Sequence, residues 1–276
     1  MRKLKQLTKE EELEILSKRQ NGIKRKDIIK EYGISDRHYQ NVIINNGGEI
    51  KKRVQKYNFN EDYFENIDTE DKAYFLGFIV ADGCINGKTN TLNISQKESE
   101  VLYMFSNYID FGGNIYKHGK RNIYSINLTS KKIIQDLYNL GIYPNKTMVV
   151  KYPEIPIHLE NHFMRGLFDG DGCISIHKKR KGGRDTSDRG QVNICSGSRD
   201  FIEEYVERLN RYCGITKNKI RCPRGTYNVI DWGSFSDVEK FYEFFYKNAT
   251  VYLDRKKKTF DIAVSISKTK IKYRKS

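Results

Sequence analysis

Phe75-Leu-Gly-Phe-Ile-Val-Ala-Asp-Gly-Cys-Ile85 and Met164-Arg-Gly-Leu-Phe-Asp-Gly-Asp-Gly-Cys-Ile174 are near-copies of one short segment, each reading as an apolar helix that ends on a carboxylate. In both copies small residues fall four apart, Gly77 with Ala81 and Gly166 with Gly170, so one helical face is bare. Glycine inside a helix costs roughly 1 kcal/mol relative to alanine, and close backbone packing is the usual compensation. The two helices are therefore expected to pack on each other. That packing brings Asp82 and Asp171 to equivalent places about a pseudo-two-fold axis, with Gly83 and Gly172 expected as C′ residues.

A carboxylate in the last helical turn meets the negative end of the helix dipole, and two such groups repel across the axis. Divalent cations reverse both penalties. Few protein oxygens per ion, with room for water and a substrate phosphate, suits Mg²⁺ and two-metal phosphodiester hydrolysis. A single Asp-Gly would read as a turn after a buried helix. Recurrence of Gly, Asp, Gly, Cys and Ile at the same offsets, 89 positions apart from Asp82 to Asp171, instead points to internal duplication.

Both segments resemble the signature helix of the LAGLIDADG homing endonucleases in their single-chain, two-signature form, over about residues 57–265. The resemblance implies an α+β fold: two pseudo-symmetric αββαββα halves packed through their signature helices, with antiparallel sheets forming a DNA-binding saddle. It implies metal-binding carboxylates at Asp82 and Asp171, joined by the backbone carbonyls of Ala81 and Gly170, and two or more Mg²⁺ ions. It further implies hydrolysis of both DNA strands with short 3′ overhangs. The sixth motif position, often acidic in the family but not needed for its chemistry, is Val80 in one copy and Asp169 in the other. A phosphoryl transition state gathers negative charge. The family places a lysine after the last helix of each half, which gives Lys146 within Leu140-Gly-Ile-Tyr-Pro-Asn-Lys-Thr147, and Lys256 within Tyr252-Leu-Asp-Arg-Lys-Lys257 with Lys257 as a register alternative. Asn93-Ile-Ser-Gln-Lys97 resembles the strand end that carries a water-positioning residue, hence Gln96. Its counterpart is Ser196, a departure that bears on whether the half-sites are equal.

Composition agrees with a polyanionic partner. Lys and Arg number 50 against 35 Asp and Glu, a formal charge of +15, beside 19 Tyr and 14 Phe. No apolar run approaches the roughly 20 residues that span a bilayer, and Glu10, Glu11 and Glu12 argue against a signal or transit peptide. Five cysteines with no C-x-x-C pair indicate neither a zinc site nor a disulfide framework, and read as small buried residues. His158 and His162 lie four apart, but Glu160 is misplaced for a zinc-protease helix, and no P-loop, dinucleotide turn or nucleophile elbow occurs.

Residues 8–46 read as helical and distinct. Thr8 is expected to cap a helix with Glu11 as capping-box partner. Ile28, Ile29, Tyr32, Ile34, Tyr39 and Val42 form an inner face, with Gly33 at a turn and Ser35 as a cap, as in a helix-turn-helix. Arg37, His38, Gln40 and Asn41 then point outward toward base edges or phosphates. Residues 47–57 read as a basic linker, 58–152 as the first half and 153–276 as the second half with a basic tail. Alternating segments Leu92–Ser95, Asn122–Leu128, Gln191–Cys195 and Tyr227–Trp232 read as half-exposed strands. Lys117, Lys120 and Arg121, and Lys178, Lys179, Arg180 and Arg184, sit in basic loops able to reach phosphates.

The expectation is a monomeric, intracellular, site-specific double-strand DNA endonuclease, bacterial or phage-encoded. The chain opens at Met1 and closes on Arg274-Lys-Ser276 without intein-like junctions, so a free-standing or intron-encoded enzyme is expected. Two rivals are a non-cutting transcription regulator of the same fold, which tends to lose the acidic pair, and a maturase that binds host intron RNA.

Overall fold

The computed structural model describes residues 6–49, 57–119, 122–178 and 188–275 and divides into two compact units, Met1–Lys56 and Tyr57–Ser276. Lys120, Arg121, Lys179, Arg180 and Arg184 lie outside the described residues, as does most of the linker.

The first unit holds α1 (Lys9–Gln20), α2 (Arg25–Tyr32) and α3 (Asp36–Asn45). Thr8 accepts the Glu11 N–H at 3.2 Å, and the Glu11 carboxylate accepts the Thr8 N–H at 2.8 Å, closing the capping box. Gly33 turns the chain at φ +62°, and Ser35 accepts the His38 N–H at 3.1 Å. Ile15, Ile28, Tyr39, Val42 and Ile43 are fully buried between the three helices, while Ile29 is only partly covered.

The second unit is built around α4 (Glu70–Asp82) and α7 (Glu160–Asp171). A Cβ on Gly77 would lie 2.1 Å from the Phe163 carbonyl oxygen, and one on Gly166 would lie 1.9 Å from that of Tyr74. Gly170 faces Ala81, at 2.3 Å by the same measure. The backbones thus touch along the stripe of small residues, while the other faces bury Phe75, Leu76, Ile79, Phe163, Met164 and Phe168 in one continuous core. Gly166→Val forces a branched side chain into backbone, so it is expected to cost about 3 kcal/mol, read as a loss of urea midpoint at unchanged slope.

From α4 the chain runs through β1 (Gly83–Asn86), β2 (Thr91–Gln96), α5 (Ser99–Tyr108), β3 (Tyr116–His118), β4 (Ile123–Thr129) and α6 (Lys131–Asn139). These strands form an antiparallel sheet of order β1-β2-β4-β3. From α7 it runs through β5 (Gly172–His177), β6 (Arg189–Ser196), α8 (Arg199–Cys213), β7 (Asn228–Trp232), α9 (Phe235–Phe245) and α10 (Asp254–Lys275). Here the order is β5-β6-β7, and the counterpart of β3 is reduced to one bridge between Arg221 and Val229. The plan is thus α+β, with two αββαββα-type halves joined through α4 and α7.

Two local expectations fail. Gly83 and Gly172 do not take left-handed C′ conformations; φ is −74° and −84°, so each helix passes straight into a strand. Glycine is required there for space, since a Cβ would meet the Ile79 carbonyl oxygen at 2.6 Å or the Phe168 ring at 2.2 Å. The cysteines are not buried: Cys84, Cys173 and Cys222 are exposed and Cys195 and Cys213 are half-buried. Cys84 and Cys173 are second residues of their strands, and alternation after Gly83 and Gly172 turns them outward. No helix among the described residues is long and apolar enough to cross a membrane.

Candidate active site and nucleic-acid interface

Because α4 and α7 touch through Gly170 and Ala81 in their last turns, Asp82 and Asp171 converge where the two sheets begin. The fit is close enough that a Cβ on Gly170 would stand 3.0 Å from Asp82 Oδ2. Asp171 is exposed as a residue, yet its carboxyl is largely walled by protein. Burial first, and the neighbouring Asp82 charge second, push its pKa up to about 6 against the pull of Lys256 and Lys146. Burial also raises Asp82, opposed by Gln96, Lys256 and Lys146. The surroundings of the two acids therefore penalise their charge, which is the electrostatic setting a cation relieves.

The half-sites differ in their polar partners. Gln96 Nε2 donates to Asp82 Oδ2 at 2.7 Å. Registers equate Gln96 with Ser196, since Gly83 pairs with Ile94 and Gly172 with Ile194, two residues earlier in each strand. Ser196 instead accepts the Ser198 N–H at 3.2 Å, and among the described residues no side chain bonds the Asp171 carboxylate.

Lys146 and Lys256 both come to the helix ends. The Lys146 ammonium donates to the Gly83 carbonyl, and Lys256 donates to the carbonyls of Phe168, Asp169 and Gly172 at 2.5, 2.7 and 2.6 Å. Both are at least nine-tenths buried. Desolvation lowers each amine, Lys256 to about 8 even with Asp169 opposing it. Both cations neutralise the negative ends of the signature helices. Lys257 turns away and lies 4.2 Å over the Tyr252 ring.

Asp169, the sixth motif position, does not join Asp82 and Asp171. Its carboxylate accepts from Tyr74 at 2.9 Å, Tyr246 at 2.6 Å and the Leu253 N–H at 2.8 Å, tying both signature helices to the segment that leads into α10 and its Lys256. A second tie was not read from the sequence. Arg165, fully buried, donates to the carbonyls of Val251 and Phe245 at 2.8 and 3.0 Å and to Glu70 at 2.7 Å. The signal was a cation at the second position of an otherwise apolar motif, where only internal partners could hold it.

The outward faces of both sheets are polar, as alternation requires. Lys117, on the edge strand β3 in register with Tyr124 rather than in an outward row, is exposed and lies 5.5 Å from the Tyr124 ring, and Lys178 pairs with Asp188 at 3.6 Å. On α3, Arg37 and Asn41 are exposed and Gln40 donates to Asp36 at 3.2 Å. His38 departs from its expected outward position: it is half-buried, and its Nδ1 is buried without a partner.

A family model described as "LAGLIDADG-like domain" matches residues 69–140 and 159–245. Among solved structures, the chain is similar to the I-LtrWI LAGLIDADG homing endonuclease bound to target DNA, with a TM-score of 0.51 and 14% identity over 76% of this chain and 92% of that one. It is also similar to the LAGLIDADG meganuclease I-CpaMI bound to uncleaved DNA, with a TM-score of 0.52 and 14% identity over 72% and 92% of the two chains. At such identities the likeness is one of fold. A curated relative, the probable translation initiation factor IF-2 of Methanocaldococcus jannaschii, is 26% identical over 147 residues, which are 50% of this chain and 11% of that protein. With both signature helices, their opposed carboxylates and more than half the sequence under one family model, this chain belongs to the LAGLIDADG family.

Proposed function

We propose that the chain is a Mg²⁺-dependent endonuclease that acts inside the cell as a monomer and hydrolyses both strands of a long double-stranded DNA site. The observation that carries this reading is the meeting of Asp82 and Asp171 at the touching ends of duplicated helices, where the two antiparallel sheets begin. The donor set fits a hard cation. Among the described residues no group of three or more His, Cys, Asp or Glu could hold a metal, so the two carboxylates with the Ala81 and Gly170 carbonyls fill part of a coordination sphere that water and DNA phosphate complete. When bound, Mg²⁺ supplies charge for the phosphoryl transition state and a more acidic water.

The remaining roles belong to side chains. Gln96 spends an N–H on Asp82, and its amide oxygen is the acceptor that orients an attacking water. Lys146 has one carbonyl partner among the described residues and keeps N–H donors for a phosphate oxygen. Lys256 spends its three N–H donors on carbonyls, so it acts through its field. Outside this unit, α3 offers Arg37, Gln40 and Asn41, with His38 turned partly inward, to a major groove. Lys117 and Lys178 offer charge to phosphates, and Lys120, Arg121, Lys179, Arg180 and Arg184, next to them in sequence, add to that charge.

The test is cleavage of a randomised double-stranded library with Mg²⁺ or Ca²⁺. Mg²⁺-dependent cuts at one long sequence are expected; binding without cutting would remove the nuclease reading. Within it, Gln96→Ala is expected to slow one strand about 100-fold through a misplaced water, seen as accumulation of nicked plasmid. The helix-turn-helix unit favours one alternative, a DNA-binding regulator of the same fold, which binding without cutting would select. An intron maturase would instead bind its host RNA.

A further inference from the structure

The two sheets share a three-strand core, β1-β2-β4 and β5-β6-β7, but carry different chemistry on its outward rows. Register equates the row Cys84, Asn93, Asn127 with the row Cys173, Asn193, Asp231. In the first sheet the outward strand positions are Cys84, Asn86, Thr91, Asn93, Ser95, Tyr116, His118, Ile123, Asn127 and Thr129, with Ser125 buried beneath His118, and no carboxylate or guanidinium is among them. These side chains bond each other across the strands: Asn93 Nδ2 donates to Asn127 Oδ1 at 2.8 Å, Ser95 Oγ donates to Asn93 Oδ1 at 3.0 Å, and the Thr91 and Thr129 hydroxyls lie 3.1 Å apart. The result is a neutral lattice of amides and hydroxyls.

The second sheet carries charge on the equivalent row. Asp231 stands where the first sheet has Asn127, and its carboxylate is the acceptor for the Arg221 guanidinium and, at 3.4 Å, for Gln191 Nε2. Arg221 is exposed and comes from the bridge that replaces the missing fourth strand, so the guanidinium is aimed along the outward face by a fixed carboxylate. Arg189, opposite His177 at the far end of β5 and β6, adds a second exposed guanidinium.

Base edges in the major groove distinguish these chemistries. An amide pairs with adenine through N6 and N7, whereas a guanidinium pairs with guanine through O6 and N7. We propose that the two sheets read half-sites of different base composition: an A·T-rich arm under the first sheet, and an arm under the second sheet whose guanine is read by Arg221 as buttressed by Asp231. This rests on the double-strand DNA reading above and assigns its substrate class.

The experiment is selection of bound sequences from a randomised duplex library in Ca²⁺, for the native chain beside Arg221→Ala and Asn93→Ala/Asn127→Ala. One arm rich in A·T and one arm with a G preference of about tenfold or more are expected. Arg221→Ala should flatten the G position to within about threefold and leave the opposite arm unchanged; the double alanine variant should flatten positions only in the A·T arm. A selected site with equal arms, or with the G position unmoved in Arg221→Ala, overturns the composition proposal while leaving DNA recognition intact. No enriched site at all overturns the DNA reading and this proposal with it.

Discussion

Asp82→Asn and Asp171→Asn are each expected to abolish double-strand cutting, with the loss on the affected strand reaching about 10³-fold or more, since each removes an anionic ligand from a site that must hold divalent charge at the phosphate. Supercoiled plasmid incubated with Mg²⁺ should stay supercoiled or stop at the nicked form, while Ca²⁺-dependent binding persists. The same substitutions carry a second signature, in stability. Asp171 has a pKa raised to about 6, above the ordinary value of an unfolded aspartate. The folded chain therefore binds more protons than the unfolded chain between those values, and metal-free stability falls as pH rises through that window. Asparagine carries no charge to desolvate, so Asp171→Asn is expected to melt at a higher temperature than the native chain at pH 7 without metal, with the difference vanishing near pH 4. A variant that lost activity through misfolding would melt lower at both pH values.

The stability signature and the sequence signature have a common origin. The helix meeting was legible because Gly77, Gly166 and Gly170 have no purpose in an apolar helix except close approach, and the carboxylates follow them at fixed offset. The first unit was legible for a similar reason: Thr8 with Glu11, Gly33 and Ser35 are local devices whose partners lie within a few residues. Polar contacts that tie distant segments were not legible. Asp169 looks dispensable in the motif, and only the folded chain brings Tyr74, Tyr246 and the Leu253 N–H around it. Lys146 and Lys256 were placed near the scissile phosphate by the family resemblance, and a matching motif position does not separate a phosphate contact from a bond to helix-end carbonyls. The exposure of Cys84 and Cys173 followed from a strand beginning one residue earlier than a left-handed cap allows.

Arg165→Met is expected to lower stability by about 3–5 kcal/mol, the usual consequence of removing one partner from a buried ion pair. Methionine fills the volume but leaves Glu70 without its guanidinium, and the carbonyls of Val251 and Phe245 without their donor. Those groups come from α4 in the first half and from the segment around α9 in the second, 95 residues apart in the case of Glu70 and Arg165, so the loss falls on the junction between halves. For a chain of this size it corresponds to a fall of roughly 6–20 °C in Tm. The pH dependence identifies the mechanism. Burial works to raise the Glu70 carboxyl, but the His162 ring, the Thr250 N–H and the Arg165 charge together hold it down to about 2. A carboxylate depressed below its unfolded value contributes stability that is complete above about pH 4.5 and is lost as pH falls through about 2, an upper figure of about 3 kcal/mol for this group. The native chain should thus lose stability on acidification more steeply than Arg165→Met. Plasmid cutting at 20 °C, below both melting temperatures, should stay within about tenfold of native, because Asp82 and Asp171 sit at the opposite end of the helices and are held together there by Gly170 against Ala81.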